Sequence, residues 1–255
     1  VDVASGLLSP IAPELQPDEW IAANATSAVV VAGSDTAPDC VVRIDLATGD
    51  VVNVRAAATQ PIMMGDLKMG DETKKVMMQA PKNGCFYVLD RETGKLISAD
   101  KYQDNVNWAS GVDLTTGRPV EAVNARYEEA QTQLQIPGPL GSHNWHPMAF
   151  SPDTGLVYIP AHTLPTVYAD MENFRYRPGA WNTGTDFAAA ALPTEMSSRI
   201  AAAAASKGQL VAWDPVAKKP KWVHDYPNAW NGGILATGGG LVFQGALDGK
   251  FRAFD

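Results

Sequence analysis

Four short stretches of this 255-residue chain carry side chains whose type and spacing suit chemistry. In GSHNWHP, His143 and His146 stand three apart, a spacing at which two imidazoles can chelate a metal on a suitable backbone. No third or fourth ligand of the right type lies nearby, which favours packing or loop-bonding roles. Asn144, between them, is of a type that caps a loop ahead of Pro147. In APKNG, Lys82 by itself reads as a solvated turn lysine, and in AWNGG the paired glycines after Trp230 and Asn231 allow close backbone approach. Asp35 and Asp39, in AGSDTAPDC, are acids in a polar turn that can serve as a base or simply bond turn amides. Cys40 and Cys85 form no CxxC or CxxCH, which removes zinc-ribbon, thioredoxin and covalent heme chemistry and leaves buried thiols. The Gly-rich LATGGGLVFQG leads into a strand, so it offers no helix N-terminus to a phosphate, and nucleotide chemistry is set aside.

The elements that must hold these residues are strands. One pattern recurs: apolar residues, an Asp, then a turn, often Thr-Gly. It appears as VVRIDLATGDVV at Asp45, FYVLDRETGKLI at Asp90, LVAWDPVAKKPKWV at Asp214 and FRAFD at Asp255. In each full copy a β-rich run enters a turn where Asp can bond amides and Gly can take positive φ, and a second strand returns. The aspartates are 45, 124 and 41 residues apart, the middle gap being about three periods. A period in the low forties with about four strands per unit is the signature of propeller blades; a sandwich of stacked hairpins is the alternative. LVFQG and KFRAFD around Asp248-Gly249 read as a further hairpin. The Ala-rich stretch near 186–206, broken by Pro193, reads as a helical excursion between strands. With 22 Gly, 18 Pro and 45% apolar residues, the chain has turns and core enough for one all-β domain, and no linker divides 1–255. A net charge of -8 provides no footprint for nucleic acid. No apolar run reaches the roughly 20 residues of a membrane span, and no signal peptide is visible.

From about Thr59 onward the chain resembles the PQQ-dependent alcohol dehydrogenases, of quinoprotein and quinohemoprotein type. The resemblance is carried by QAPKNGCFYVLDRETGKLISADKYQDNVNWASGVDLTTGRP, GSHNWHPMAFSPDTGLVYIPAH, WNTGTDFAAAALP and KGQLVAWDPVAKKPKWVHDYPNAWNGGILATGGGLVFQGALDGKFRAFD. It implies an eight-bladed β-propeller of Trp-docking repeats, roughly half of it present, with 1–58 divergent and 59–255 strongly similar. Ala212, Asp214, Lys219 and Trp222 fit that repeat, with Lys218 where Gly is usual.

The resemblance also implies PQQ beside a calcium ion, or a lanthanide in some relatives, with a carboxylate base and hydride transfer to the quinone. Lys82 matches the residue bonding the reactive carbonyl, a place where a cation stabilises developing charge. Asn144 matches an amide contact to the cofactor, and Trp230 matches a tryptophan donating to its carboxylates. Asp35 is the candidate for base and metal ligand, although by alignment the family's Asp falls on Ser34; Asp39 is a weaker one. No heme site is present. The implied partners are an alcohol and a cytochrome or quinone acceptor, in the periplasm, with a further chain possible to complete the propeller. A non-catalytic propeller module that binds through its faces is the alternative function.

Overall fold

The computed structural model describes residues 61–255 apart from 124, 127–131, 181, 190 and 192, together with the backbone of four strands between 17 and 54. Those strands, β1 (Pro17–Ala23), β2 (Ser27–Ser34), β3 (Ala37–Asp45) and β4 (Val51–Val54), form an antiparallel meander in chain order. A second meander follows: β5 (Met63–Met69), β6 (Glu72–Gln79), β7 (Cys85–Asp90) and β8 (Leu96–Lys101). Two strand pairs come next, β9 (Ala109–Val112) with β10 (Pro119–Glu121), and β11 (Gln133–Gln135) with a later strand, β14. The third large sheet runs β12 (Ala149–Ser151), β13 (Leu156–Thr163), β15 (Lys207–Asp214) and β16 (Lys219–Tyr226). Between its second and third strands the chain leaves to form β14 (Thr166–Tyr168) and helix α1 (Met196–Ala205). A three-stranded sheet, β17 (Ile234–Ala236), β18 (Val242–Gly245) and β19 (Phe251–Phe254), comes last.

The Asp-turn pattern decides where third and fourth strands part. Asp90 Oδ1 accepts from the backbone N–H of Glu92 and Thr93, and Gly94, at φ +71°, donates back to Asp90 O at 2.8 Å. Asp214 repeats the arrangement with Val216 and Ala217. There Lys218 occupies the glycine position at φ +58° and donates to Asp214 O at 2.8 Å. The turn geometry therefore survives the missing glycine, with Lys218 held in a region L side chains disfavour. Asp113 to Gly117 is another copy, closing β9 onto β10.

Meanders bury both faces when they stack, which explains the near-continuous apolar run of β7, CFYVLD. Met78, Phe86 and Val88 of the second meander join Ile159, Val211 and Trp213 of the third sheet in one core, with the Phe86 and Trp213 rings 5.9 Å apart. Trp222 docks between the third and last sheets, 5.9 Å from Tyr158 and 5.8 Å from Phe254. Cys85 is a buried free thiol, as its apolar surroundings require. The helix is shorter than the 186–206 expected. It begins at Met196, where Glu195 accepts from Ser198 N at 2.9 Å, because Pro193 cannot sit in a helix interior. Upstream, Ala188 N bonds Asp186 Oδ1 in a turn. Among the described residues no helix is long and apolar enough to cross a membrane.

Candidate functional site

Three connections meet around the segment 140–147: the β6–β7 turn, the loop after β8 and the β16–β17 loop. Lys82, in the β6–β7 turn, is partly buried. Its carbonyl accepts from Ser142 N at 2.9 Å, and a Cβ on Gly141 would lie 2.5 Å from its Cγ and 2.6 Å from its Cα. Gly141, at φ +80°, thus permits two stretches of backbone to touch. The loop after β8 braces the same turn: Tyr102 N donates to Gly84 O at 3.1 Å and Trp108 Nε1 to Asn83 O at 2.9 Å. On the other side, Ile234 N donates to Pro147 O at 2.9 Å, and a Cβ on Gly233 would lie 2.6 Å from Pro147 Cδ. The paired glycines of AWNGG thus allow a backbone approach, as their type suggests.

The Lys82 ammonium forms no hydrogen bond or ion pair among the described residues. Asn144 is 6% exposed, and its amide donates to Leu140 O and accepts from Trp145 N, both at 2.9 Å. This is the loop-bonding geometry, with one amide N–H left over. Trp230 packs its ring edge-on to His146 at 4.6 Å and tilted against His162 at 4.9 Å, and its indole N–H has no partner among the described residues. Lys82 and Trp230 are joined through the segment 141–146, not by a direct bond, and Asn144 lies within that segment. Asp35 lies outside the described residues, and only backbone is described for Asp39.

Three buried histidines pack through the neighbourhood. His143 is fully buried, with Nδ1 2.6 Å from Ala80 O and Nε2 2.7 Å from His146 O. Burial lowers its pKa, and the two carbonyls oppose that less strongly. The ring ties the end of β6 to its own loop, the loop-bonding role expected of it. Burial also lowers the pKa of His146, with His143 adding to the effect. His162 is pushed down to about 4, chiefly by burial, against the pull of Leu140 O. Burial therefore disfavours the charged form of all three rings. No group of three or more His, Cys, Asp or Glu able to hold a metal is present among the described residues.

Sequence reasoning missed Trp145 and His162. Trp145 is stacked on His146 at 4.1 Å and 23°, and is 59% exposed; its position between two histidines in HNWHP was the available signal. His162 reaches Trp230 only through pairing of distant strands, and nothing local marks it. Together the site offers an ammonium and an indole N–H without partners among the described residues, beside aromatic rings that range from buried to exposed. Such a set fits a planar, oxygen-rich anion.

No family model matches the chain. It is 49% identical over 197 residues, 77% of its length, to quinohemoprotein alcohol dehydrogenase ADH IIB of Pseudomonas putida. It is 46% identical over 200 residues, 78% of its length, to the dehydrogenase subunit of alcohol dehydrogenase (quinone) of Komagataeibacter europaeus. The chain spans 27% of the length of each. The solved quinohemoprotein alcohol dehydrogenase ADHIIG from Pseudomonas putida HK5 matches in structure with a TM-score of 0.75 at 33% identity, over 89% of this chain and 37% of that one. The sheets described above are blades of a partial β-propeller.

Proposed function

We propose that this chain, homologous over three quarters of its length to one segment of the quinohemoprotein alcohol dehydrogenases, is the part of such an enzyme that holds one side of PQQ during oxidation of a primary or secondary alcohol. The observation that carries this reading is Lys82: its ammonium has no counter-ion among the described residues, and its backbone and Cβ are held against Gly141 and Ser142. PQQ, when bound, supplies the electron-accepting quinone. Lys82 presents a cation where negative charge develops on a quinone oxygen, and a preorganised donor of this kind contributes on the order of 10²–10³ in rate. Trp230, whose N–H has no partner among the described residues, would donate to a cofactor carboxylate, with His146 and His162 packed against its ring. Asn144 keeps the loop in shape and offers its remaining N–H. The buried rings of His146 and His162 pack on Trp230, and a site closed to water would strengthen the Lys82 contact.

Asp35 we assign as base and metal ligand, with calcium, or a lanthanide in its place, at the part of the chain outside the described residues. Electrons would pass to a cytochrome or quinone, and the setting would be periplasmic. The remaining blades would come from the rest of a longer polypeptide or from a further chain. Reconstituting the full polypeptide with PQQ and calcium should give alcohol-dependent reduction of an artificial electron acceptor, with aldehyde or ketone as product. A folded protein that binds PQQ weakly and shows no turnover would instead favour a non-catalytic propeller module.

A further inference from the structure

We propose that Gln244 is a positioning residue for the cofactor site, clamping the loop that carries Trp230; this rests on the PQQ reading above. The loop runs from Tyr226, the last residue of β16, to Ile234, the first of β17. Gln244 lies in β18, paired with Ile234 on one side and Arg252 on the other. It is 0% exposed, and its neighbours Tyr226, Ile234 and Val242 belong to a buried apolar cluster. Both ends of its amide are used. Nε2 donates to Gly232 O at 2.8 Å, and Oε1 accepts from the Tyr226 hydroxyl at 2.8 Å. One side chain thus spans the base of the loop, from the residue where it leaves β16 to the glycine two places beyond Trp230.

A residue needed only to fill this place would serve as well as Leu. An amide in an apolar core is unfavourable unless its polar ends are bonded, and here they bond the two ends of one loop. Gly232 and Gly233 give the returning backbone wide freedom, so the direction in which the Trp230 indole leaves the loop depends on bonds from outside it. Gln244 supplies the one at Gly232 O, and Gly245 O takes Gly232 N at 2.9 Å. Asn231 adds two more, accepting from Leu247 N at 3.2 Å and donating to Asn228 O at 3.0 Å. Tyr226 is in turn held by Arg252, whose guanidinium lies 5.3 Å from the ring centroid and pairs with Asp248 at 2.6 Å. Trp230, between the anchored ends, is partly exposed and is met by the rings of Trp145, His146 and His162. The polar clamp therefore sets the backbone, and the ring contacts set the indole.

A double-mutant cycle on the full polypeptide separates positioning from general stability. PQQ affinity is measured by equilibrium dialysis, well below every thermal midpoint, for the parent, Gln244→Leu, Trp230→Phe and the pair. Gln244→Leu should weaken PQQ binding about tenfold in the parent, the order of one hydrogen bond, and by less than about twofold once Trp230 is Phe. Tyr226→Phe removes one end of the clamp with little change of volume. It should follow the same pattern with a smaller loss, and it carries the cycle if Gln244→Leu does not fold. No loss in the parent, or the same loss in both backgrounds, would overturn the proposal. Trp230→Phe binding as tightly as the parent would overturn the Trp230 contact and the positioning role with it, whereas a parent that does not bind PQQ would overturn the cofactor reading itself.

Discussion

Lys82 and His162 show how much a single side chain owes to what surrounds it. Because the Lys82 ammonium has no protein partner among the described residues, Lys82→Met should leave the thermal midpoint within a few degrees of the parent. Turnover of the reconstituted enzyme should fall on the order of 10²-fold or more, as for loss of one preorganised donor. Steady-state kinetics beside a melting curve will separate these outcomes, and a large stability loss with normal turnover would count against the assignment. His162 gives the opposite case, a stability effect with a pH signature. Unfolded, the ring takes a proton near its ordinary 6.5; folded, only near about 4. Between those values the unfolded chain binds more protons, so stability falls as pH falls, by on the order of 3 kcal/mol for this ring. Denaturant titrations from pH 7 to pH 4 should show that loss, and His162→Phe should reduce its slope. Lys82, Asn144 and Trp230 are proposed from their neighbours in sequence. His162 and the stacking of Trp145 on His146 are not, since ring contacts between strands leave no local pattern.

At the level of elements, the Asp turns were the most legible feature. An aspartate followed by Thr-Gly determines two amide bonds and a positive φ from five consecutive residues, and Asp90 to Gly94 folds that way. The copy at Asp214 shows what the pattern tolerates. Lys218 adopts φ +58° without being glycine, and its ion pair with the partly buried Asp100 is long, 3.9 Å. Lys218→Gly should therefore stabilise the protein by about 1 kcal/mol, the cost of a left-handed L residue, which a shift in denaturant midpoint will report. The helical excursion was legible in kind but not in extent. Composition suggested a helix from 186, whereas Pro193 and the Glu195 cap confine it to Met196–Ala205. None of its residues is buried, so no packing face marked its ends in the sequence.

Across the whole molecule the repeat was readable, and its broken stretch now has a cause. Between Asp90 and Asp214 the chain forms only the short β9–β10 pair around a copy of the Asp turn and the β11–β14 pair, then splits the third sheet between β13 and β15 with the excursion that carries α1. A periodicity search loses its register across such insertions, although the sheet closes as an ordinary meander, β12-β13-β15-β16. The insertions also carry part of the proposed site: the segment 140–147, which joins Lys82 to Trp230, lies after β11 and belongs to no repeat. The most direct test is a crystal structure of the full polypeptide with PQQ. The cofactor is expected within hydrogen-bonding reach of both Lys82 Nζ and Trp230 Nε1. PQQ bound elsewhere, with the Lys82 ammonium left in solvent, would contradict the assignment.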